Sequence, residues 1–279
     1  MLSLALQLHR LKSDWTILLP HSFRSALVAW FSGVPVRLGY ARDGRSFLLS
    51  HAVERPLNWE RVHHTSYYLY LLYLAGLLSE EPPLAGVIPQ LYCSRSDEDW
   101  AAEYLQRNDL FSATPIVGVV PGATFGPAKC WPVERFAASV RNLISPTGSA
   151  LLLGGPKEVE LNTQLAGQLN DCKVVNLAGK LTLGQTLALL ARLHLALTND
   201  SGLMHAAAAL GTPVVAVFGS TNPTRTAPLG PAVRVIYHAE ECSPCLQSVC
   251  PRKEMICFNN ISVGEVVAAG QEIMHSQKG

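Results

Sequence analysis

The sequence lacks the features that would assign it to a membrane, to nucleic acid or to the secreted proteins. No apolar run reaches the roughly 18 residues that a membrane-spanning helix needs. The 22 Lys and Arg residues are balanced by 21 Asp and Glu residues, so bulk charge favours neither nucleic acid nor a polybasic membrane anchor. The apolar N-terminus has no basic segment before it and no small-residue cleavage site after it. We therefore expect a cytoplasmic protein with no nucleic-acid partner.

A disulfide scaffold is also excluded, because the chain has an odd number of cysteines, seven, and no secretory signal. Four of the seven nevertheless fall close together in the pattern C-x2-C-x4-C-x6-C: Cys242, Cys245, Cys250 and Cys257. Four thiols at such spacing can satisfy a tetrahedral zinc ion. An iron–sulfur cluster and four reduced cysteines in an irregular loop are the alternatives, since the spacing fits no standard zinc finger. The expectation is a structural zinc ion.

The second part of the chain has the pattern of a parallel sheet covered by helices. Short runs rich in Val, Ile and Leu alternate with segments of helical periodicity from Pro115 onward. The predicted strands are Ile116 to Val120, Ala150 to Leu153, Val174 to Leu177, Leu195 to Thr198, Val214 to Phe218 and Val233 to Tyr237. This alternation predicts an α/β fold with a doubly wound sheet.

The first part of the chain carries fewer elements of the same kind. Trp15 to Leu19 and Val36 to Gly39 read as strands, and Ser22 to Phe31 and Arg61 to Leu77 read as helices. The proline-containing stretch Ser79 to Ser96 is the predicted linker region. We therefore expect two domains, an incomplete one at residues 1–95 and a nearly complete one at residues 96–279.

The strongest local pattern is TNDSGLMHAAAALGTP, Thr198 to Pro213, between two predicted strands. Its turn residues precede a short helix, and the free N–H groups and dipole of a helix N-terminus favour a phosphate. Gly202 would let a ligand approach the backbone, and His205 lies one turn further on. The alternative is an ordinary turn in which Asp200 or Ser201 caps the helix and His205 is structural.

A second loop, VGVVPGATFGPAKCWP, follows the first strand of the second domain. It offers the hydroxyl of Thr124 and the cation of Lys129, and its spacing departs from that of a P-loop because Lys129 does not follow a glycine. Lys129 could neutralise a diphosphate or could be a solvated loop lysine. Both loops follow parallel strands, so their side chains are expected to meet at the carboxyl edge of one sheet.

The segments PGATFGPAKCWP, NLAGKLTL and TNDSGLMHAAAALGTPVVAVFGSTNPTRTAPLG, in that order, resemble the ADP-heptose:lipopolysaccharide heptosyltransferases of glycosyltransferase family 9. LLPHSFRSALVAWFSGVPVRLGYARDGRSFLL in the first domain is similar to the same family. The resemblance implies the GT-B architecture, two doubly wound Rossmann-like domains facing each other across a cleft, here with the N-terminal one incomplete. It further implies that heptose is transferred with inversion, without a metal or other cofactor, to the phosphorylated inner core of lipopolysaccharide.

The resemblance also assigns candidate contacts. It implies that ADP-heptose is bound by residues of the two loops: Thr124, Lys129, Asp200, Ser201, Gly202, Leu203 and His205. Glu158 would approach the ribose or adenine, with a carboxylate stabilised by a helix N-terminus as the equal alternative. Candidate contacts to the anionic acceptor are the clustered arginines of the first domain: Arg24, Arg37, Arg42 and Arg45. A peripheral contact with the inner face of the cytoplasmic membrane follows from such an acceptor.

The sequence departs from the family at its start, where a GDxxx segment usually supplies the catalytic aspartate. Nothing before Ser13 resembles that segment, so no catalytic base is assigned. Asp14 belongs to a later predicted strand and does not take that role. Asp14 and Asp43 become the carboxylates to test only if the 279-residue chain restores activity by itself. Three functions stay open at this point: an active heptosyltransferase, a nucleotide-sugar-binding remnant without activity, and an epimerase-type enzyme that acts on a UDP-sugar.

Overall fold

The computed structural model describes residues 1–276 except 111, 113, 145 and 253. It divides the chain into two compact units, Met1–Val87 and Ile88–Gly279. Within the described residues, no helix is both long and apolar enough to span a bilayer. The boundary predicted from the sequence, after residue 95, differs from this division, because Leu91 N donates to Ala209 O and Cys93 packs against the core of the second unit.

Unit 1 contains a parallel sheet of three strands in the order β1-β2-β3. Its elements in chain order are α1 (Leu2–Arg10), β1 (Trp15–Leu18), α2 (Phe23–Phe31), β2 (Val36–Tyr40), β3 (His51–Val53) and α3 (His64–Leu74). Ser22 caps α2, because its hydroxyl accepts a hydrogen bond from Ser25 N at 3.2 Å. Apolar side chains of α2 cover one face of the sheet, and those of α3 pack with Leu38 and Tyr40.

Unit 2 contains six parallel strands in the order β6-β5-β4-β7-β8-β9. The elements that lead to and build its first half are α4 (Arg95–Arg107), β4 (Ile116–Val120), α5 (Val133–Ile144), β5 (Ser149–Leu152), α6 (Val159–Gln168), β6 (Val174–Asn176) and α7 (Leu183–Leu190). Those of the second half are β7 (Leu195–Asn199), α8 (Gly202–Ala209), β8 (Val214–Val217), α9 (Pro223–Thr226), β9 (Val233–Ile236), α10 (Ile256–Asn259) and α11 (Val263–Ser276).

Apolar cores cover both faces of the six-stranded sheet. Phe136 of α5, Leu165 of α6 and Val266 of α11 belong to the core on one face. Leu105 of α4 and Leu189 of α7 belong to the core on the other face. Every residue of β4 and β7 is buried, and each fully buried aliphatic side chain contributes about 1.5–3 kcal/mol. The predicted α/β class and the doubly wound sheet of this unit are confirmed.

Several predicted elements differ at their ends. The helix predicted from Arg61 begins at His64, because the imidazole of His63 caps it by accepting from Thr65 N at 3.2 Å. The sequence analysis did not predict β3, α4 or α11. The start of α4 falls where a linker was predicted, and Ser94 caps it by accepting from Asp97 N.

Candidate functional site

The strand order of unit 2 reverses between β4 and β7. The chain passes from β4 outward through β5 to β6, returns to β7 beside β4, and then continues outward to β9. In open α/β sheets, ligands bind beyond the carboxyl ends of the strands at such a switch point, where the connecting loops diverge. The loops after β4 and β7 are the two that the sequence analysis identified, and the structure brings them side by side.

A cavity of about 410 Å³ lies at this switch point. It gathers the predicted residues Thr124, Glu158, Ser201, Gly202 and Leu203 with small residues of the loops after β4 and β5. Its remaining lining is Val120, Gly122, Ala123, Gly154, Gly155, Leu183 and Ala206. The cavity therefore combines backbone and hydroxyl donors with an apolar wall, which is the composition of small-molecule sites.

A larger cavity, about 520 Å³, lies at the opposite edge of the sheet. Its lining includes Pro115, His194 and Pro213, which precede β4, β7 and β8, and also Met274 of α11. The predicted functional residues do not line this cavity. The cavity at the carboxyl ends is smaller, but strand topology and side-chain chemistry both make it the candidate site.

Asn199, the last residue of β7, joins the two ends of the loop after β4. Its Oδ1 accepts from Trp131 N at 3.0 Å, and its Nδ2 donates to Pro121 O at 2.6 Å. The side chain is completely buried, so both hydrogen bonds form in surroundings of low dielectric constant. One amide thereby fixes both ends of the loop that carries Thr124 and Lys129. The sequence analysis placed Asn199 in the turn and missed this role.

Lys129 lies within a buried charge network at the end of β7. Its Nζ donates to Asp200 Oδ2 at 2.5 Å, and the exposed fractions of the two side chains are 15% and 6%. Thr221 donates its hydroxyl proton to the same carboxylate oxygen at 2.7 Å. The Lys129 ammonium also lies 5.1 Å from the centre of the Phe125 ring. Lys129, Asp200 and Thr221 do not line the cavity themselves, but Asp200 directly precedes Ser201, which does. Of the three, only Lys129 and Asp200 were predicted.

The N-terminus of α8 opens onto the cavity. Ser201 caps the helix by accepting from Met204 N at 3.4 Å. Gly202 and Leu203 follow in the first turn and line the cavity. A Cβ added at Gly202 would meet no atom within 4 Å, so the space in front of the helix is open to a ligand. His205 is exposed on the same helix but is outside the cavity lining.

Glu158 closes the side of the cavity beneath the loop after β5. Its Oε2 accepts from Gly155 N at 2.6 Å. A Cβ at Gly122 would lie 2.3 Å from Glu158 Cγ, so a side chain at this position would displace Glu158. The carboxylate thus accepts a hydrogen bond within the turn, and its side chain also borders the cavity. Its contact with a ribose or adenine stays a prediction.

The four clustered cysteines line one small cavity of about 30 Å³ together with Ala128 and Ser220. Burial raises the pKa of the Cys257 thiol, and the neighbouring Cys242, Cys250 and Cys245 raise it further. Their sulfur atoms are thus electrostatic neighbours. Within the part of the chain that is described, no three His, Cys, Asp or Glu side chains are grouped so that they could hold a metal ion. The zinc ion stays a prediction.

The cysteine loop contacts the chain neighbours of Lys129 and Thr221. Ser248 O accepts from Ala128 N at 3.1 Å, next to Lys129, and Leu246 N donates to Ser220 O at 2.8 Å, next to Thr221. A Cβ at Gly126, whose φ is +146°, would lie 2.3 Å from Ser248 O. The loop therefore packs against both segments that supply the charge network.

The four arginines predicted for the acceptor have different surroundings in unit 1. Arg45 is fully buried and donates to the carbonyls of Tyr40 and Pro20, and burial lowers its pKa. Arg37 donates to the carbonyls of Leu48 and Val34. These bonds give both side chains a structural role, whereas Arg42 is half-buried and Arg24 is exposed. Their contact with an acceptor stays a prediction.

Comparison with known proteins extends this description. Unit 2 has a doubly wound sheet with glycine-containing loops at its switch point. It therefore belongs to the class of α/β proteins that bind ligands beyond the carboxyl ends of their strands. The model of glycosyltransferase family 9 (heptosyltransferase) matches residues 1–256. The chain belongs to this family, as the sequence motifs predicted.

Two curated relatives are similar over most of this chain. Lipopolysaccharide heptosyltransferase 2 of Escherichia coli K12 is 36% identical over 235 residues, which are 80% of this chain and 64% of that protein. Lipooligosaccharide heptosyltransferase 2 of Haemophilus influenzae is 31% identical over 232 residues, which are 80% of this chain and 65% of that protein. The chain thus spans just under two thirds of the length of these relatives.

A solved structure shows the same fold. The structure of E. coli ADP-heptose lipopolysaccharide heptosyltransferase II matches with a TM-score of 0.80 and 30% identity. The match covers 100% of this chain and 81% of that one.

Proposed function

We propose that this chain takes part in the transfer of heptose from ADP-heptose to the phosphorylated inner core of lipopolysaccharide, and that unit 2 binds the ADP portion. Membership of glycosyltransferase family 9 supports the reaction class. The observation that supports the site most directly is the charge network of Lys129, Asp200 and Thr221 beside the open N-terminus of α8. A diphosphate needs both features, a fixed cation and free N–H groups.

In this proposal the diphosphate lies against the first turn of α8 and accepts from its backbone N–H groups. Lys129 neutralises the charge that develops on the departing ADP, because a cation held in place needs no reorganisation as that charge forms. Asp200 and Thr221 hold the ammonium in position. Thr124 is exposed at the mouth of the cavity and supplies a hydroxyl donor.

The remaining part of the nucleotide fits the rest of the cavity. Leu183 and Leu203 offer an apolar wall for the adenine, and Glu158 borders the space for the ribose. Transfer with inversion needs a carboxylate that deprotonates the acceptor hydroxyl. No residue is assigned that role here; Asp14 and Asp43 are exposed carboxylates of unit 1 that would be tested for it if the 279-residue chain alone restored transfer.

The chemistry proposed needs no cofactor, and the acceptor determines where the reaction takes place. We propose that the protein acts in the cytoplasm at the inner face of the cytoplasmic membrane, because the acceptor is a lipid-linked saccharide. The clustered cysteines would serve a structural zinc ion that stabilises their loop against the segment of Lys129.

Titration of the 279-residue chain with ADP by calorimetry tests the donor site. Lys129→Ala should weaken ADP binding about ten- to a hundredfold, because a charge-assisted hydrogen bond is worth about 1.5–3 kcal/mol. Asp200→Asn should weaken binding less, because the ammonium remains but loses its fixed position. Lys180→Ala is the matched control, since Lys180 is an exposed lysine that follows β6 and donates to Asn176 O. Unchanged affinity in both site variants would refute the donor-site assignment.

A further inference from the structure

Arg42 and Arg55 occupy equivalent positions after two neighbouring strands of unit 1. β2 ends at Tyr40 and β3 ends at Val53, and these two residues are register partners in the parallel sheet. Each arginine lies two residues beyond its strand. Both therefore lie at the carboxyl edge of the sheet, where open α/β sheets bind their ligands.

Both guanidinium groups pack on the same aromatic ring. The guanidinium carbon of Arg55 lies 4.3 Å from the centre of the Trp59 ring, and that of Arg42 lies 5.5 Å from it. All three side chains are half-buried. Stacking on an aromatic ring orders a guanidinium group and leaves its N–H edge available for an anion. Trp59 therefore holds two cationic forks close together.

The two arginines are not engaged in close ion pairs in the part of the chain that the structure describes. Among the described residues, neither Arg42 nor Arg55 makes an ion pair within 4.0 Å. Like charges brought against one ring repel each other, although water screens part of that repulsion. An anion placed between them would remove the repulsion and would gain two charge-assisted hydrogen-bonding partners.

Tyr67 adds a buried phenol to the same place. Burial raises the pKa of Tyr67, and the charges of Arg42 and Arg55 oppose that rise, so the phenol lies near both guanidinium groups. Arg45 also interacts electrostatically with Tyr67. Its Nη2 is buried and makes no hydrogen bond with the described residues. The charges of three guanidinium groups thus act on one phenol.

We propose that Arg42 and Arg55, ordered by Trp59 and with Tyr67 beside them, bind the phosphate group of a phosphorylated sugar. A phosphomonoester has the charge and the oxygen geometry that two guanidinium forks recognise, because each fork can donate two parallel hydrogen bonds. Identification of the sugar as the acceptor rests on the proposed function. The phosphate site itself rests only on the geometry of unit 1. Arg55, Trp59 and Tyr67 were not among the residues predicted from the sequence.

The test is a titration of the full chain with mannose 6-phosphate, followed by nuclear magnetic resonance in the presence of saturating ADP. The ADP keeps the sugar phosphate away from the candidate site in unit 2. We expect saturable binding that unphosphorylated mannose does not show. Arg42→Gln and Arg55→Gln should each weaken it at least tenfold, and Arg10→Gln, a matched control on an exposed arginine of α1, should leave it unchanged.

Arg42→Lys and Arg55→Lys separate a shaped site from general positive charge. Lysine keeps the charge but lacks the planar fork, so we expect the lysine variants to lose most of the affinity as well. Full affinity in the lysine variants, or equal binding by the glutamine variants and the wild type, would overturn the proposal. Thermal melting of each variant verifies that it is folded, and a lysine ammonium can still make a cation–π contact with Trp59.

The result is distinguishable from the test of the donor site. If ADP fails to bind while mannose 6-phosphate still requires Arg42 and Arg55, the proposed function fails and the phosphate site stands. If ADP binds as expected while no sugar phosphate binds in unit 1, the phosphate site fails alone.

Discussion

The two units use the same kind of parallel sheet but cover it to different degrees. In unit 2, β4 and β7 are buried along their whole length between two layers of helices. In unit 1, β1 pairs only with β2 among the described strands. Its Trp15 and Ile17 are 52% and 43% exposed, and Leu19 beyond its end is 45% exposed. The central strands of one unit are covered on both faces, whereas an edge strand of the other carries apolar surface open to solvent.

The same contrast holds for the loops at the carboxyl edges. In unit 2, Asn199 fixes the loop after β4 at both ends, and the cysteine loop contacts it from outside. In unit 1, Arg45 ties Tyr40 to Pro20 and thereby joins the ends of β1 and β2, while Arg42 and Arg55 are held mainly by stacking. We conclude that the geometry of the site in unit 2 depends on buried hydrogen bonds.

The largest effect is expected at Asn199. Asn199→Ala leaves Trp131 N and Pro121 O without their buried partner and should lower the free energy of unfolding by about 2–6 kcal/mol, because each of the two losses costs about 1–3 kcal/mol. ADP affinity should fall with it, since the loop carries Lys129. Chemical denaturation and calorimetry measure the two effects.

Asn176→Ala is the matched control for this substitution. Asn176 ends β6 at the sheet edge, and its Oδ1 accepts from Ala178 N at 3.1 Å in a half-buried setting. It should cost no more than about 1 kcal/mol. If both substitutions lowered the free energy of unfolding equally, the hydrogen bonds of the buried strand end would contribute no more than those of the half-buried one.

A smaller effect is expected at the open strand of unit 1. Unpaired edges with apolar side chains associate with one another, so the chain should self-associate as its concentration rises. Trp15→Lys and Ile17→Lys should reduce this association and change the free energy of unfolding by roughly 0.5 kcal/mol or less, as is usual for exposed positions. Sedimentation velocity over a range of concentrations measures it.

Leu57→Lys distinguishes the strand from exposed apolar surface in general. Leu57 is 98% exposed but lies in a loop of the same unit. It should leave the association unchanged. An equal reduction by Leu57→Lys would show that β1 is not the associating surface.

Much of unit 2 could be predicted because its sequence pattern is local. Buried parallel strands appear as short apolar runs between turn residues, and all six predicted strands of the unit are present with ends shifted by a residue or so. β3 could not be found in this way, because it has only three residues and none of them is fully buried. It therefore lacks both an apolar run and an alternating pattern. α4 was missed because a run of prolines before it suggested a linker.

The site was predictable to the extent that its residues are neighbours in the sequence. Ser201, Gly202 and Leu203 fall together because one helix N-terminus carries them. Thr221 and Arg55 were missed because their partners, Asp200 and Trp59, become neighbours only through the fold. The buried hydrogen bonds of Asn199 join residues 68 and 78 positions apart, a separation that no local spacing can indicate.

The smallest effect on ADP binding is expected from the cysteine loop. This prediction tests whether the loop contributes to the geometry of the site in unit 2. If the four thiols hold zinc, the purified protein should contain about one equivalent of the metal by elemental analysis. Cys250→Ser should lower that content, whereas Cys93→Ser and Cys172→Ser, outside the cluster, should not. Removal of zinc should weaken ADP binding several-fold, because the loop contacts Ala128 and Ser220 beside the charge network.

If zinc is bound by thiolates, its affinity for the protein should increase with pH. Burial and the three neighbouring cysteines raise the pKa of Cys257 above its usual value, so this thiol is protonated at neutral pH and zinc must displace its proton. The apparent affinity for zinc should therefore rise as pH increases from 6 to 8, by up to about tenfold per pH unit for each proton released. The opposite result would be a purified protein that contains no metal, has four thiols that react freely with a thiol reagent and binds ADP with unchanged affinity. It would support four reduced cysteines in a loop that stabilises the site by packing alone.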